Sequence, residues 1–178
     1  MAAPRNLPLL QPHDAALQKC VYCPKLCRAT CPVSNVEGNE SVTPWGKMSL
    51  AWFSLRGDVP LDGEHAEVAW ACSLCHACRD RCEHDNGVAA VLAEARAEYF
   101  RAGVAPPAVV RVVADFAAQE DAYRAAIDAL DVENRQSART LLVIGDNYAL
   151  HDPEVAEAIW WVAQHFAEGE IRAVRCSS

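Results

Sequence analysis

The apolar positions of this chain repeat with helical spacing over most of its length and then change period near the end. Trp45, Met48, Trp52 and Leu55 recur at i, i+3, i+7 and i+10, one face of a helix. Thr43 and Pro44 supply an N-cap and a first helical residue, and Gly57 supplies the stop. A second short helix is predicted from about Gly63 to Ala71, leading into Cys72. A third runs from about Gly87 to Ala102, with Val91, Leu92, Ala95 and Tyr99 inward and Glu94, Arg96 and Glu98 outward. Gly103 and the Pro106-Pro107 pair end it. Residues 107–130 read as one or two further helices, with apolar positions at Val109, Val110, Val113, Phe116, Tyr123, Ile127 and Leu130. Beyond a polar linker, Asp131 to Arg139, the run Leu141-Leu142-Val143-Ile144 ending in Gly145 predicts a short buried parallel strand. Asp152-Pro153 predicts the cap of a helix with an apolar face of Val155, Ile159, Val162 and Phe166; Gly169 ends it, and Ile171 to Val174 is a second strand.

The expected fold is therefore mainly α, closed by a small βαβ unit. Four stretches are expected. Residues 1–18 form an extended, Pro-rich arm, with Leu7, Leu9 and Leu10 exposed. Residues 19–104 form a helical domain, 105–138 a helical linker, and 139–178 the βαβ unit. Two parallel strands leave open edges that something else must cover.

With 178 residues, 52% of them hydrophobic, the chain can bury a real core, so its cysteines are not rescuing a coreless peptide. The net charge of −8 argues against nucleic acid as a partner, because phosphate binding needs a basic face. The start of the chain lacks the basic end and apolar run of a signal peptide. The longest nearly apolar stretch, Val104 to Ala118, is broken by Pro106, Pro107, Arg111 and Asp115, so no direct membrane span is expected. A cytoplasmic location is expected, where clustered thiols bind metal rather than form disulfides. Any association with a membrane would then run through a partner.

Eight of the nine cysteines fall into two groups of four: Cys20, Cys23, Cys27 and Cys31, followed by Pro32, and Cys72, Cys75, Cys78 and Cys82. The second spacing, and the Cys-Pro ending of the first, match the two-cluster ferredoxin pattern. There, three closely spaced thiolates hold one [4Fe–4S] cube and the fourth ligand comes from the other motif. Two [4Fe–4S] clusters are thus expected, one on Cys20, Cys23, Cys27 and Cys82, the other on Cys72, Cys75, Cys78 and Cys31. The structural alternative is two zinc ions, but zinc sites place their ligands as separated C-x2-C pairs, and here three ligands fall within a few residues, twice. The first motif has three residues, Pro24, Lys25 and Leu26, where two is usual, and the second ends Cys82-Glu83 rather than Cys-Pro. No motif position lacks a cysteine, so [3Fe–4S] centres are not expected.

Residues 19–102 resemble the α-helical ferredoxin module of the iron–sulfur subunits of succinate dehydrogenase. They resemble more closely those of glycolate oxidase, anaerobic glycerol-3-phosphate dehydrogenase and heterodisulfide reductase. The resemblance rests on the two cysteine motifs, the segment Thr43-Pro44-Trp45-Gly46-Lys47 and the Arg96-bearing helix after Cys82. It implies an electron-transfer subunit of a multi-subunit oxidoreductase, passing electrons between a flavin or metal redox subunit and another acceptor. The implied partners are a flavoprotein dehydrogenase, or heterodisulfide-reductase-like or hydrogenase subunits. In the glycolate oxidase and heterodisulfide reductase families a domain with Cys-Cys-Gly motifs follows. This chain has the strand Leu141 to Ile144, Gly145 and Pro153-Glu154 in the corresponding places, but Asp146 stands where the family has Cys, and no Cys-Cys-Gly occurs. No substrate site of its own is therefore expected. The rivals are a shortened heterodisulfide-reductase-like catalytic subunit and a two-zinc structural protein.

Cys176 stands alone and is expected to be a free thiol. His76 and His84 flank the second motif and read as surface or hydrogen-bonding residues. Lys19, Lys25, Arg28, Arg79 and Arg81 are either ordinary solvated charge or an offset to cluster charge that raises the potential. Trp45 and Trp52 read as core. Trp160 and Trp161 point about 100° apart on a helix, so one of them is expected to meet a partner chain.

Overall fold

The computed structural model describes residues 5–130 and 138–174, so Cys176 and most of the polar linker lie outside the described residues. The chain divides into two compact units, residues 1–110 and 111–178.

In the first unit, α1 (Asp14–Val21), α2 (Pro32–Glu37), α3 (Pro44–Arg56), α4 (Gly63–Trp70) and α5 (Val88–Arg101) follow in order. The centre is α3, which packs against α1, α4 and α5. Thr43 accepts from the Gly46 N–H, Pro44 takes the first helical position, and Gly57 closes the helix at φ 78°. Met48, Trp52 and Leu55 are buried as expected, but so are Gly46, Lys47, Ser49, Ala51 and Ser54. A helix with neighbours on several sides has no single wet face, so a one-stripe pattern understates its burial. At α4 the cap is Asp62, whose carboxylate accepts from the His65 N–H. That bond is the largest influence holding its carboxyl below the usual range, with the His65 side chain second.

Two expectations for this unit are corrected. Leu7 and Leu10 are not exposed on an extended arm: both are buried in the same cluster as Leu17, Met48, Trp52 and Leu92. The segment is also tied by its backbone. The Arg5 N–H donates to the Leu55 carbonyl at 2.9 Å, and the Leu9 N–H to Glu98 Oε2 at 2.7 Å. Burying a leucine side chain stabilises by about 2 kcal/mol, which offsets part of the ordering entropy of this Pro-containing segment; the backbone bonds contribute the rest of its anchoring. The same contact explains Glu98, expected outward but buried, because its carboxylate satisfies a backbone donor that the arm brings in. Arg96, also expected outward, is half-buried: its guanidinium donates to the Ala69 carbonyl at 3.0 Å and to the Cys72 carbonyl.

The second unit pairs β1 (Thr140–Val143) parallel to β2 (Ile171–Val174), with Leu142 opposite Ala173. Two helices connect the strands, α7 (Asp146–His151) and α8 (Pro153–Phe166), where the pattern predicted one. The long helix α6 (Pro107–Leu130) is more than a linker. Tyr123 and Ile127 are buried with Ile144, Ala149, Ala156 and Ala173, and the Tyr123 hydroxyl donates to the Ile144 carbonyl. Val110 and Val113, expected among its packing positions, are exposed.

The strand expectation is corrected as well. Leu141 and Val143 are 62% and 57% exposed, so β1 buries one face only, because the helices cover the Leu142 and Ile144 side. On α8 the buried stripe is shifted by one position from the expected face. Ala156 is buried and Ile159 and Trp160 are partly buried, while Val155, Val162 and Phe166 stay exposed. A small residue lets the helix approach the sheet where a valine would hold it off. Asp152 sits at the N-cap position of α8 without a side-chain cap bond. Trp161 is exposed and stacks on His165, ring centroids 5.5 Å apart. No helix among the described residues is long and apolar enough to cross a membrane.

Candidate metal centre

The two cysteine motifs share a local design. Cys20 lies on the last turn of α1, and Cys72 follows α4 by one residue after its C-cap. The third cysteine of each motif, Cys27 or Cys78, adopts helical angles and opens a short 3-10 turn. The fourth, Cys31 or Cys82, closes that turn in an extended conformation, at φ −80°, ψ 113° and φ −93°, ψ 111°. The switch from helical to extended backbone between the third and fourth cysteines swings the fourth side chain out of its own loop. Cys31 then serves as N-cap residue of α2, with Pro32 at the first helical position.

The result is two cavities with mixed walls. One is lined by Cys20, Cys23 and Cys27 together with Cys82; the other by Cys72, Cys75 and Cys78 together with Cys31. Cys78 also reaches the first cavity, and Val88, at the start of α5, lines both. All eight cysteines are free thiols. No group of three or more His, Cys, Asp or Glu among the described residues is gathered to close on a single metal ion; the sulfurs surround space instead.

The loops carry left-handed backbone at non-glycine residues. Lys25 has φ 67° in the first motif, and Leu74 and His76 have φ 56° and 61° in the second. Such angles cost on the order of 1–3 kcal/mol each, and they cluster where a loop is wound tightly around a ligand. At Lys25 the turn takes up the additional residue of the first motif. Its ammonium lies 3.8 Å from the centre of the Trp45 ring, and Trp45 Nε1 donates to the Val21 carbonyl at 3.2 Å. Trp45 is thereby half-buried against the first loop rather than in the central core.

Two residues without a cysteine's conspicuousness complete the walls. Asn86, 7% exposed, donates from Nδ2 to Cys20 Sγ at 3.1 Å and to the Ala16 carbonyl at 2.7 Å. Its backbone N–H donates to Cys82 Sγ at 3.4 Å. It therefore binds the first-motif and second-motif sulfurs of one cavity together. Lys47, 2% exposed, places Nζ 3.6 Å from Cys31 Sγ in the other cavity. The sequence reading gives Asn86 no role and names Lys47 only as the last residue of the segment that carries the resemblance. The further signals are an Asn four residues after Cys82 and a Lys set among apolar helix positions.

The basic residues expected around the motifs divide into two groups. Arg28 pairs with Glu40, and Arg79 makes two bonds to Asp85, at 2.7 and 3.1 Å, so their charge is locally cancelled. Lys19, Lys25 and Arg81 line the first cavity, together with Glu83. His84 lines the first cavity and His76 the second, both exposed.

Without metal, the thiols resist ionisation where they are deepest. Burial pushes Cys20 up to about 12, against the bond from Asn86, and burial and the neighbouring Cys27 push Cys78 up to about 11. Cys27 is raised by burial and by Cys23. Cys31 is lowered: burial opposes ionisation, but bonds from Ser34 and the charge of Lys47 outweigh it. Cys75 is lowered by bonds from the Ala77 N–H and Ser73. Thiols crowded this way repel one another as thiolates until a cationic metal group compensates them, which is the behaviour of a donor set built for metal.

Residues 16–86 match the family model of the 4Fe-4S dicluster domain. That match supports an iron–sulfur protein of ferredoxin type with [4Fe–4S] chemistry. It takes in all eight motif cysteines, from Ala16 in α1 to Asn86. No curated protein and no solved structure matches the chain. The donor set fits the group. The first cavity offers five thiols, counting the shared Cys78, and the second four; both have N–H donors aimed at sulfur, and among the described residues the one carboxylate lining either is the exposed Glu83.

Proposed function

We propose that this chain is the iron–sulfur electron-transfer subunit of a multi-subunit oxidoreductase. It relays electrons through two [4Fe–4S] clusters between a flavin or metal redox subunit and another acceptor. Cys20, Cys23, Cys27 and Cys82 hold one cluster; Cys31, Cys72, Cys75 and Cys78 hold the other. When bound, such a cluster takes up and returns one electron at a time. The observation that carries the reading is the mixed walls, with the fourth cysteine of each motif beside the first three of the other. Cys78 lines both cavities, which supports direct transfer between groups held in the two. Within each site, Asn86 and Lys47 direct donors at sulfur, and the α1–α3–α5 core keeps water from the inner sides.

The second unit is read as a small βαβ-type unit and a docking surface for redox partners such as a flavoprotein dehydrogenase. Supporting this are the exposed Leu141, Val143, Trp161 and Phe166 and the open edges of a two-stranded sheet.

Anaerobic purification followed by metal and sulfide analysis tests the cofactor. The expected result is about eight iron and eight sulfide per chain, with a broad brown absorption that bleaches on reduction. A colourless protein containing zinc overturns the reading in favour of a structural scaffold. Size-exclusion chromatography and pull-down from native extract test the partner. A monomer that retains both clusters and binds no redox protein removes the subunit assignment.

A further inference from the structure

We infer that Lys47 makes the cluster on Cys31, Cys72, Cys75 and Cys78 the higher-potential one of the pair, so that a single electron shared between the two rests there. The inference deepens the proposed function and rests on its two clusters.

Lys47 is fixed by the start of α3. Its N–H donates to the Thr43 carbonyl at 3.0 Å in the first turn. The preceding Gly46 lets that turn press against the backbone at Glu40 and Ser41, where a Cβ would lie 2.6 Å from the Ser41 carbonyl oxygen. The side chain is then enclosed and runs into the cavity of Cys31, Cys72, Cys75 and Cys78, with Nζ 3.6 Å from Cys31 Sγ. Among the described residues no carboxylate lies within 4.0 Å of that ammonium. A buried cation without a counter-charge is strongly unfavourable, and among the described residues lining this site the counter-charge comes from thiolate and the anionic group that thiolates hold. A one-electron reduction adds a further negative charge to that group. A fixed positive charge a few ångströms away, out of water, favours the reduced form more than the oxidised one.

Among the described residues the first cavity has no equivalent. Its buried donor, Asn86, is neutral. Its cations, Lys19 and Arg81, are exposed, Lys25 is half-buried and turned onto Trp45, and the Glu83 carboxylate opposes them. Water screens charges at that depth far more than it screens Lys47. Dipoles from Asn86 raise the potential of this cluster, but by less than a full buried charge. Internal transfer then moves one electron from the cluster beside Asn86, which is oxidised, to the cluster beside Lys47, which is reduced, without a proton or a third reactant.

The test uses the full chain purified anaerobically, as wild type, Lys47→Met and Lys47→Arg, with iron and sulfide counted first and both clusters then titrated with dithionite under electron paramagnetic resonance. Two one-electron waves are expected in the wild type. In Lys47→Met the upper wave alone should move down, so that at the wild-type midpoint the reduced-to-oxidised ratio falls at least about tenfold, or ~59 mV for one electron. Lys47→Arg should restore it. A Cys75→Ser variant, expected to alter the spectrum of the upper wave only, assigns that wave to its cluster. If Lys47→Met loses iron, Lys47→Gln, which keeps a donor but not the charge, is titrated instead and should show the same shift. An upper wave that stays in place in a fully loaded Lys47→Met or Lys47→Gln variant overturns the inference while leaving the proposed function standing. So does a shift confined to the lower wave. A wild-type protein without eight iron fails at the first measurement and overturns both.

Discussion

Gly46→Ala sets two opposing effects against each other on one residue. In an exposed helix, alanine is preferred over glycine by about 1 kcal/mol. At Gly46 the added Cβ would meet backbone on the next segment: the Glu40 carbonyl oxygen, the Ser41 carbonyl oxygen at 2.6 Å and the Ser41 carbonyl carbon at 2.8 Å. Backbone cannot rotate away as a side chain can. The start of α3 or the 3-10 turn over Glu40–Val42 must shift, which costs about 3 kcal/mol at the upper end of the overpacking range. The net loss is about 2 kcal/mol, or roughly 4–8 °C in the melting temperature of a chain this size. The control is Gly63→Ala. Gly63 opens α4, and a Cβ there would meet nothing within 4 Å, so the helix preference acts alone and the melting temperature should hold or rise by about 2 °C. Thermal unfolding followed by far-ultraviolet circular dichroism under anaerobic conditions measures both. A Gly46→Ala protein as stable as wild type, or a Gly63→Ala protein that falls as far, would refute the claim that α3 is pressed against that turn.

Three further outcomes are expected. Cys82→Ser should perturb the electron paramagnetic resonance signal of the same cluster as Cys20→Ser, and Cys31→Ser that of the same cluster as Cys75→Ser; signals that group by motif instead would show that each motif closes on itself. Leu10→Ala should cost about 2–5 kcal/mol by denaturant unfolding, because Leu10 is fully buried, whereas Leu26→Ala, at a half-exposed position, should stay within about 0.5 kcal/mol; equal effects would return the arm to solvent. Asn86→Ala removes donors to Cys20 Sγ and to the Ala16 carbonyl, so about 1–3 kcal/mol of stability should be lost and the lower reduction wave should move down, while an unchanged wave in a loaded protein would show that the amide only braces α1.

What the sequence determined by itself is local. The cap Thr43, the proline at 44 and the stop at Gly57 set α3 because they act within a few residues of one another, and the bounds of α4 and α5 were legible for the same reason. The donor chemistry was legible too, since eight cysteines at those spacings leave few alternatives. Tertiary structure alone decided which polar groups face inward. Glu98 reads as outward, Asn86 carries no signal and Lys47 is only the end of the segment that carries the resemblance, yet each is buried by a segment distant in sequence: the arm at Leu9, the turn of Ala16 and Cys20, and the cysteine loop at Cys31. The burial of Leu7 and Leu10 and the shifted stripe of α8 belong with them. Periodicity records that a face is apolar, but which neighbour covers it, and which charge that neighbour needs answered, exists only once the elements have packed.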